Sequence, residues 1–331
     1  MVSPTSRIAL VTGGNSGVGL ALAHRLLAHD DGPITVVLAC RNRAKARTAL
    51  AQLQAAHPGA TVHLLELDTS SVASVLRAAA QVQTDYARLD LLFCNAGAMA
   101  ISGLSAGGIA RGLLTHPVAF FESSEALCQR QGLVTPDGLG LTFQTNVFGH
   151  YLLIHKLLPL LEATGGARVV WTGSSASQQG FAHADYQHVH GATPYESSKY
   201  IVDQIALPLH KRLWANGVAC YVVEPGNVCS SFLAGLGLPL FGYLVLFVFL
   251  LLRCVGLTRF TISPRCASFA LCAVALADGA RLDPRLKYFA NATRAGTPFV
   301  TARPLPSRPA TAAFLVEKLD ALVSRFDQPQ K

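Results

Sequence analysis

Near its start the chain reads Ile8-Ala9-Leu10-Val11-Thr12-Gly13-Gly14-Asn15-Ser16-Gly17-Val18-Gly19, an apolar run that ends in a glycine-rich turn and passes into the amphipathic stretch Val18–Ala28. The unbroken apolar run predicts a strand buried on both faces. Gly13, Gly17 and Gly19 leave no side chain where the strand turns into a helix, so backbone N–H groups at the helix N-terminus can approach a pyrophosphate closely. Thr12, Asn15, Ser16 and Val18 complete the turn. Its place directly behind a first strand separates it from an ordinary glycine-rich loop.

The same alternation continues outward. Further strands are expected at Ile34–Ala39, Val62–Leu67, Leu89–Cys94, Arg168–Thr172, Val218–Val223 and Leu286–Phe289. Amphipathic stretches at Ala44–Ala56, Val72–Tyr86, Asp137–Leu161 and Pro194–Trp214 lie between them. Buried strands separated by helices predict an α/β fold: a doubly wound parallel sheet, the Rossmann arrangement. With no repeat and no internal linker, residues 1–300 are expected to form one domain. The tail, 301–331, carries a helix with Phe314, Leu315, Leu319, Leu322, Val323 and Phe326 at helical spacing. Insertions at Ala98–Pro136, at Ser175–Thr193 and around 236–252 follow strand C-termini, the edge where open α/β sheets bind ligands.

Of the 331 residues, 51% are hydrophobic and 14% charged, which excludes a disordered chain. The net charge is +8, yet its densest cluster, Arg41, Arg43, Lys45 and Arg47, has no aromatic residues interleaved, so no nucleic acid is expected. The eight cysteines form no C-x-x-C pair, and Cys40, Cys94, Cys128 and Cys220 lie in or beside apolar segments. Reduced thiols in a cytosol-facing protein follow, and no metal site is expected. Met1 leads almost directly into the first expected strand, so a secretory signal peptide is not expected.

Leu236–Leu252 is uncharged throughout. It falls short of the roughly 20 residues of a spanning helix, and Pro239, Gly237 and Gly242 interrupt it. Leu, Val and Phe surround Leu244–Leu252 on every side, which favours a membrane-contacting segment over a core helix. A full crossing would strand Ser263–Ala277 and Leu286–Phe289 on the far side, so attachment from one side is expected. A single span is the alternative, and the sequon Asn291-Ala292-Thr293 distinguishes the two.

The second strand ends Ala39-Cys40-Arg41-Asn42, with Arg43 next, and offers no acid for ribose hydroxyls. A guanidinium suits a 2′-phosphate, which favours NADPH over NADH; a solvated helix start is the plain alternative. Asp68 ends the third strand, either to accept from an adenine amino group or to cap the next helix. Asn95-Ala96-Gly97 lets backbone pass beneath a ribose. Tyr195 and Lys199 stand one turn apart on a helix, where an ammonium would lower the pKa of a phenol and ready it for proton transfer. Ser174, just after the fifth strand, can hold a carbonyl oxygen.

In this order, T-G-G-N-S-G-V-G, N-A-G, N-V-F-G-H, T-G-S-S, Y-E-S-S-K and E-P-G-N-V resemble the short-chain dehydrogenase/reductases, over roughly residues 5–290. The resemblance implies Ser174 as carbonyl binder, Tyr195 as proton donor, and Lys199 as ribose anchor and partner of the phenol. It implies Asn146 as holder of a relay water, and Pro225, Gly226, Val228 and Ser230 as the loop over the nicotinamide. L-A-C-R-N, the long insert after N-A-G, P-Y-E-S-S-K-Y and the apolar stretch after P-G-N resemble the branch of that family that reduces sterol 3-ketones. That branch implies NADPH, a sterol or steroid ketone (estrone included), and work in cholesterol synthesis. It further implies membrane lipid at the endoplasmic reticulum with the catalytic domain facing the cytosol, and a homodimer or a complex of sterol-synthesis enzymes. Gly173 departs from the family's usual serine pair, leaving Ser174 with Ser175 as fallback. Reduction of retinal or of general lipid carbonyls, and a catalytically silent scaffold, are the competing readings.

Overall fold

The structure is a computed structural model that describes residues 6–177, 181–228 and 239–327. Its first half runs β1 (Arg7–Thr12), α1 (Gly17–Leu27), β2 (Ile34–Cys40), α2 (Arg43–Ala56), β3 (Val62–Glu66), α3 (Val72–Asp85) and β4 (Leu91–Cys94). An insertion follows with β5 (Ile101–Leu104), α4 (Ala106–Thr115), α5 (Pro117–Phe120) and β6 (Leu127–Gln129). The second half runs α6 (Leu141–Phe143), α7 (Gly149–Glu162), β7 (Arg168–Thr172), α8 (Pro194–Trp214), β8 (Ala219–Glu224), α9 (Pro239–Cys254), α10 (Pro264–Leu276), β9 (Leu286–Ala292), β10 (Pro298–Pro304) and α11 (Pro309–Asp327).

The eight-stranded sheet has the order β10-β9-β8-β7-β4-β1-β2-β3. All neighbours pair in parallel except β10, which runs antiparallel to β9 at the edge. The Rossmann-like α/β fold with a mostly parallel sheet agrees with the sequence. One face of the sheet buries Leu10, Leu92 and Trp171 against α3, α7 and α8, and α11 adds Leu315 and Leu319. The other face buries Val11, Phe93 and Val223 against α1, α2 and α10. Each layer excludes water from continuous apolar strands, the dominant favourable term in folding. Cys40, Cys94 and Cys220 are buried free thiols and Cys128 is an exposed one.

Three local features set the site. β5 and β6 form a small antiparallel hairpin beyond the end of β4. The helix expected from Asp137 begins instead at Leu141, and Gln144–Phe148 adopts a π-helical turn before α7. The Asp137 carboxylate lies outside the helix, where it accepts from Val72 N at 2.8 Å and from Gln144 Nε2 at 2.5 Å. Finally, α9 spans Pro239–Cys254, and among the described residues no helix is long and apolar enough to cross a membrane. After α9 the chain returns to the domain, with α10 packed against α1 and β9 paired with β8. The sequon asparagine, Asn291, lies buried in β9 with its Nδ2 donating to Phe289 O and Thr301 Oγ1.

Candidate active site

The C-terminal ends of β1, β2, β3, β4, β7 and β8 surround a cavity of about 850 Å³. Asn15, Ser16, Val18, Arg41 and Asp68 line it, together with Ser174, Tyr195 and Lys199 and with apolar residues of α4, α5 and α9. That volume is within the range of small-molecule sites.

The glycine turn fits a dinucleotide on its own geometry. Gly13 has φ +67° and its missing Cβ would meet Ala96 Cα at 3.0 Å; at Gly19 a Cβ would lie 2.5 Å from Gly13 O. Gly17, φ +52°, faces open space at the start of α1. Backbone N–H groups of the first turn of α1 thus border the cavity with no side chain before them, the arrangement that receives a pyrophosphate. Thr12 differs from expectation. It does not line the cavity but lies fully buried beneath the turn. Its Oγ1 accepts from Asn95 N and Ala96 N, both at 2.9 Å, and contacts Phe93 O and the buried His150 Nε2. Burial, then the Lys199 ammonium, push the His150 imidazole down to about 3, so it braces Thr12 as a neutral ring.

At the end of β2, Arg41 borders the cavity, loosely paired with Asp68 Oδ2 at 3.6 Å. Arg43 is directed away and pairs with Glu66 Oε2, whereas Lys45, not expected as a contact, lines the cavity. The helical phase of α2 explains the exchange, because residues two apart point to different sides. Asp68 does not cap α3, whose N-cap is Ser71. Asp68 Oδ1 instead accepts from Ser70 N and Ser70 Oγ.

Ala96 and Gly97 line the cavity where β4 ends. Asn146, in the π-helical turn, is buried and not itself a lining residue. Its Nδ2 donates to Ala98 O and Ser198 Oγ, while its Oδ1 accepts from Ala98 N at 2.8 Å. It clamps the chain beyond β4 to α8.

On α8, Lys199 Nζ lies 5.7 Å from the Tyr195 ring centre and donates to Thr172 O at 2.8 Å. Ser174 hydrogen-bonds the Tyr195 side chain, so hydroxyl, phenol and ammonium share the cavity wall. The two pKa values differ from expectation. Burial pushes the Tyr195 phenol up to about 12; Ser174 pulls it down, and the carboxylates of Glu196 and Glu224 raise it. Burial, then the neighbouring Lys287, bring Lys199 down to about 8. A phenol that holds its proton at neutral pH is the form an acid requires.

Beyond β8, Pro225, Gly226 and Val228 border the cavity, and Ser230 lies outside the described residues. Gly226 takes φ +72°, and a Cβ there would meet Arg259 O at 2.6 Å. Sequence reasoning missed the groups that tie the insertion to the site. Gln129, at the end of β6, accepts from Tyr195 N at 2.9 Å and donates to Glu196 Oε2 at 2.6 Å. Arg259 bridges Glu122 in the insertion and Glu224 at the end of β8. No local motif marks these residues; their partners are distant in sequence.

Comparison with known proteins agrees with this geometry. The family model for short chain dehydrogenase matches residues 7–237. The chain belongs to the short-chain dehydrogenase family. It is therefore an NAD(P)-dependent oxidoreductase. Within that family it is 35% identical to the human 3-keto-steroid reductase/17-beta-hydroxysteroid dehydrogenase 7, over 95% of this chain and 92% of that one. It is 33% identical to 3-keto-steroid reductase erg27 of Schizosaccharomyces pombe, over 95% of this chain and 96% of the other. Among solved structures, the Pseudomonas aeruginosa RhlG/NADP active-site complex superposes with a TM-score of 0.59 at 24% identity, covering 85% of this chain and 94% of that one, a likeness of fold.

Proposed function

We propose that the protein reduces the 3-ketone of a sterol to the 3β-alcohol with NADPH, and that it also accepts a steroid ketone such as estrone. The observation that carries this reading is one cavity whose lining brings together the glycine turn, a hydroxyl–phenol–ammonium cluster and an apolar set of side chains. Ile109, Leu113 and Phe120 of the insertion and Leu244, Val248 and Phe249 of α9 supply that apolar lining. It suits a rigid hydrocarbon skeleton, and the names of two relatives point to the same substrate class.

Bound NADPH supplies a hydride to the carbonyl carbon. The residues of this chain handle the oxygen. The Ser174 hydroxyl holds it, and as its charge grows the Tyr195 phenol delivers a proton. The Lys199 ammonium compensates the phenolate until solvent returns the proton. Asn146 acts by fixing backbone at Ala98 and the helix carrying Tyr195. Arg41 and Lys45 at the rim, with no acid at the end of β2, favour the 2′-phosphate of NADPH.

The reading extends to location. On α9, Tyr243, Leu244, Phe247 and Leu251 are exposed while Leu244, Val245 and Val248 line the cavity. A helix that is apolar toward solvent and toward the substrate wall suits one-sided insertion into the cytosolic face of the endoplasmic reticulum, where a nearly insoluble sterol enters from the bilayer. Incubation with NADPH, vesicles and a panel of sterol 3-ketones, estrone and retinal tests the reaction. Sterol alcohol is the expected product, and exclusive reduction of retinal would replace the reading. In the same preparation, extraction by salt alone would refute insertion.

A further inference from the structure

Behind the wall that carries Ser174 lies a buried ammonium that the proposed reaction does not use. Lys287, on β9, is 3% exposed. Its Nζ donates to Ser174 O at 2.9 Å, to Ser177 Oγ at 3.2 Å and to Asp203 Oδ2 at 2.9 Å, and lies 3.4 Å from Glu224 Oε2. Asp203 is fully buried on α8, one turn beyond Lys199 and two beyond Tyr195 on the same face. Glu224 closes β8 immediately before Pro225 and Gly226. One ammonium therefore joins the end of β7, the helix of Tyr195 and Lys199, and the loop beyond β8.

Space for it comes from a departure already visible in the sequence. At Gly173, a Cβ would lie 3.1 Å from Lys287 Cε, 3.4 Å from Lys287 Nζ and 2.9 Å from Val222 Cγ1. A serine at 173, as in the usual serine pair, would compete with the lysine for the same volume. Glycine at 173 and lysine at 287 are thus two halves of one arrangement.

We infer that Lys287 is a positioning residue for ketone reduction: seated in the space left by Gly173, it holds the Ser174 backbone in register with Tyr195 and sets a second positive charge behind Lys199. Buried ion pairs contribute little net stability compared with well-packed apolar residues, so fold stability alone does not account for a lysine here. The charges facing Lys199 are Lys287, Asp203 and, when ionised, Cys94, with the neutral His150 nearby; those facing Tyr195 are Glu196 and Glu224. The Lys287 ammonium opposes protonation of Lys199, in keeping with the lowered pKa of Lys199.

The inference rests on the proposed reaction, and its test separates the two. Lys287→Met combined with Asp203→Asn removes the pair together and keeps the volume; Gly173→Ala keeps both charges and displaces the lysine. In the paired variant, NADPH affinity should stay within about threefold while kcat falls about 100-fold, the scale of a misplaced reacting group. The alkaline limb of the kcat profile, set by loss of the Lys199 proton, should move to higher pH, because Lys287 lowers Lys199 more than Asp203 raises it. A ¹³C-lysine NMR titration of Lys199 without cofactor should move in the same direction. Gly173→Ala should lower kcat and raise the limb to a smaller degree. Parent-like kcat with an unmoved limb in the paired variant would overturn the inference, and should that variant not fold, the same result in Gly173→Ala would do so. A parent without ketone reduction would refute the reaction, whereas an unshifted Lys199 titration would refute the role of Lys287 independently.

Discussion

Discharging Lys199 should affect stability and turnover in opposite directions. Lys199 is 4% exposed and its pKa falls from 10.5 to about 8. The folded value lies below the unfolded one, so between about 8 and 10.5 the unfolded chain binds more protons and stability rises with pH. The difference, 10.5 minus about 8, corresponds to about 3 kcal/mol at roughly 1.36 kcal/mol per unit. At pH 7 this is a cost of keeping the ammonium charged in a desolvated place. Lys199→Met retains the aliphatic bulk and removes that cost, while losing the bond to Thr172 O, worth about 1 kcal/mol. The net expectation is about 2 kcal/mol of stabilisation at pH 7, or about 3 °C in melting temperature for a chain of this size. The gain should vanish by about pH 10, where the folded lysine is neutral and the remaining cost, under about 1 kcal/mol, no longer exceeds the lost bond to Thr172 O. Turnover should instead fall about 100-fold in the variant, and in the parent should decline above pH 8. Thermal melts of the cofactor-free protein at pH 7 and 10, beside a pH–rate profile, check both arms. A lower melting temperature for Lys199→Met at pH 7, with parent activity flat to pH 10, would refute the reasoning.

Tyr195→Phe should keep NADPH binding, read by nucleotide fluorescence, and lose about 100- to 10,000-fold in kcat; normal turnover would remove Tyr195 as the acid. Gly19→Ala drives a Cβ to 2.5 Å from Gly13 O, so the turn must open and NADPH affinity should fall at least about tenfold, measured by calorimetry. Arg41→Ala and Lys45→Ala should each weaken NADPH by about tenfold and leave NADH nearly unchanged, whereas Arg43→Ala, whose side chain pairs with Glu66, should alter neither.

The seven parallel strands were legible because β1, β2, β4, β7 and β8 are apolar runs that a two-sided sheet demands, and β3 and β9 keep enough apolar residues, despite His63 and Lys287, to continue the alternation with helices. β10 was not, since Pro298–Pro304 is a largely exposed edge strand bounded by prolines. The hairpin strands Ile101–Leu104 and Leu127–Gln129 are too short to show a period. At the site, Tyr195, Lys199, Ser174 and the glycine turn were readable because their chemistry depends on local spacing. Thr12 and Asn146 were named from the family pattern, but their action through buried backbone at Asn95–Ala98 depends on packing. Lys287 was invisible, because it meets Ser174 across 113 positions of sequence. The opposed pKa shifts of Tyr195 and Lys199 were also beyond the sequence, since burial rather than their mutual contact dominates both.

The most direct test of the proposed reaction is transfer of label. A sterol 3-ketone in vesicles, incubated with the full chain and NADPH deuterated on the transferable face of the nicotinamide, should yield the 3β-alcohol with one deuterium on C3, read by mass spectrometry. The Tyr195→Phe variant, loaded with the same cofactor, should yield almost none. Absence of deuterated 3β-alcohol from every sterol 3-ketone tried, under conditions where the protein binds NADPH, would contradict the account.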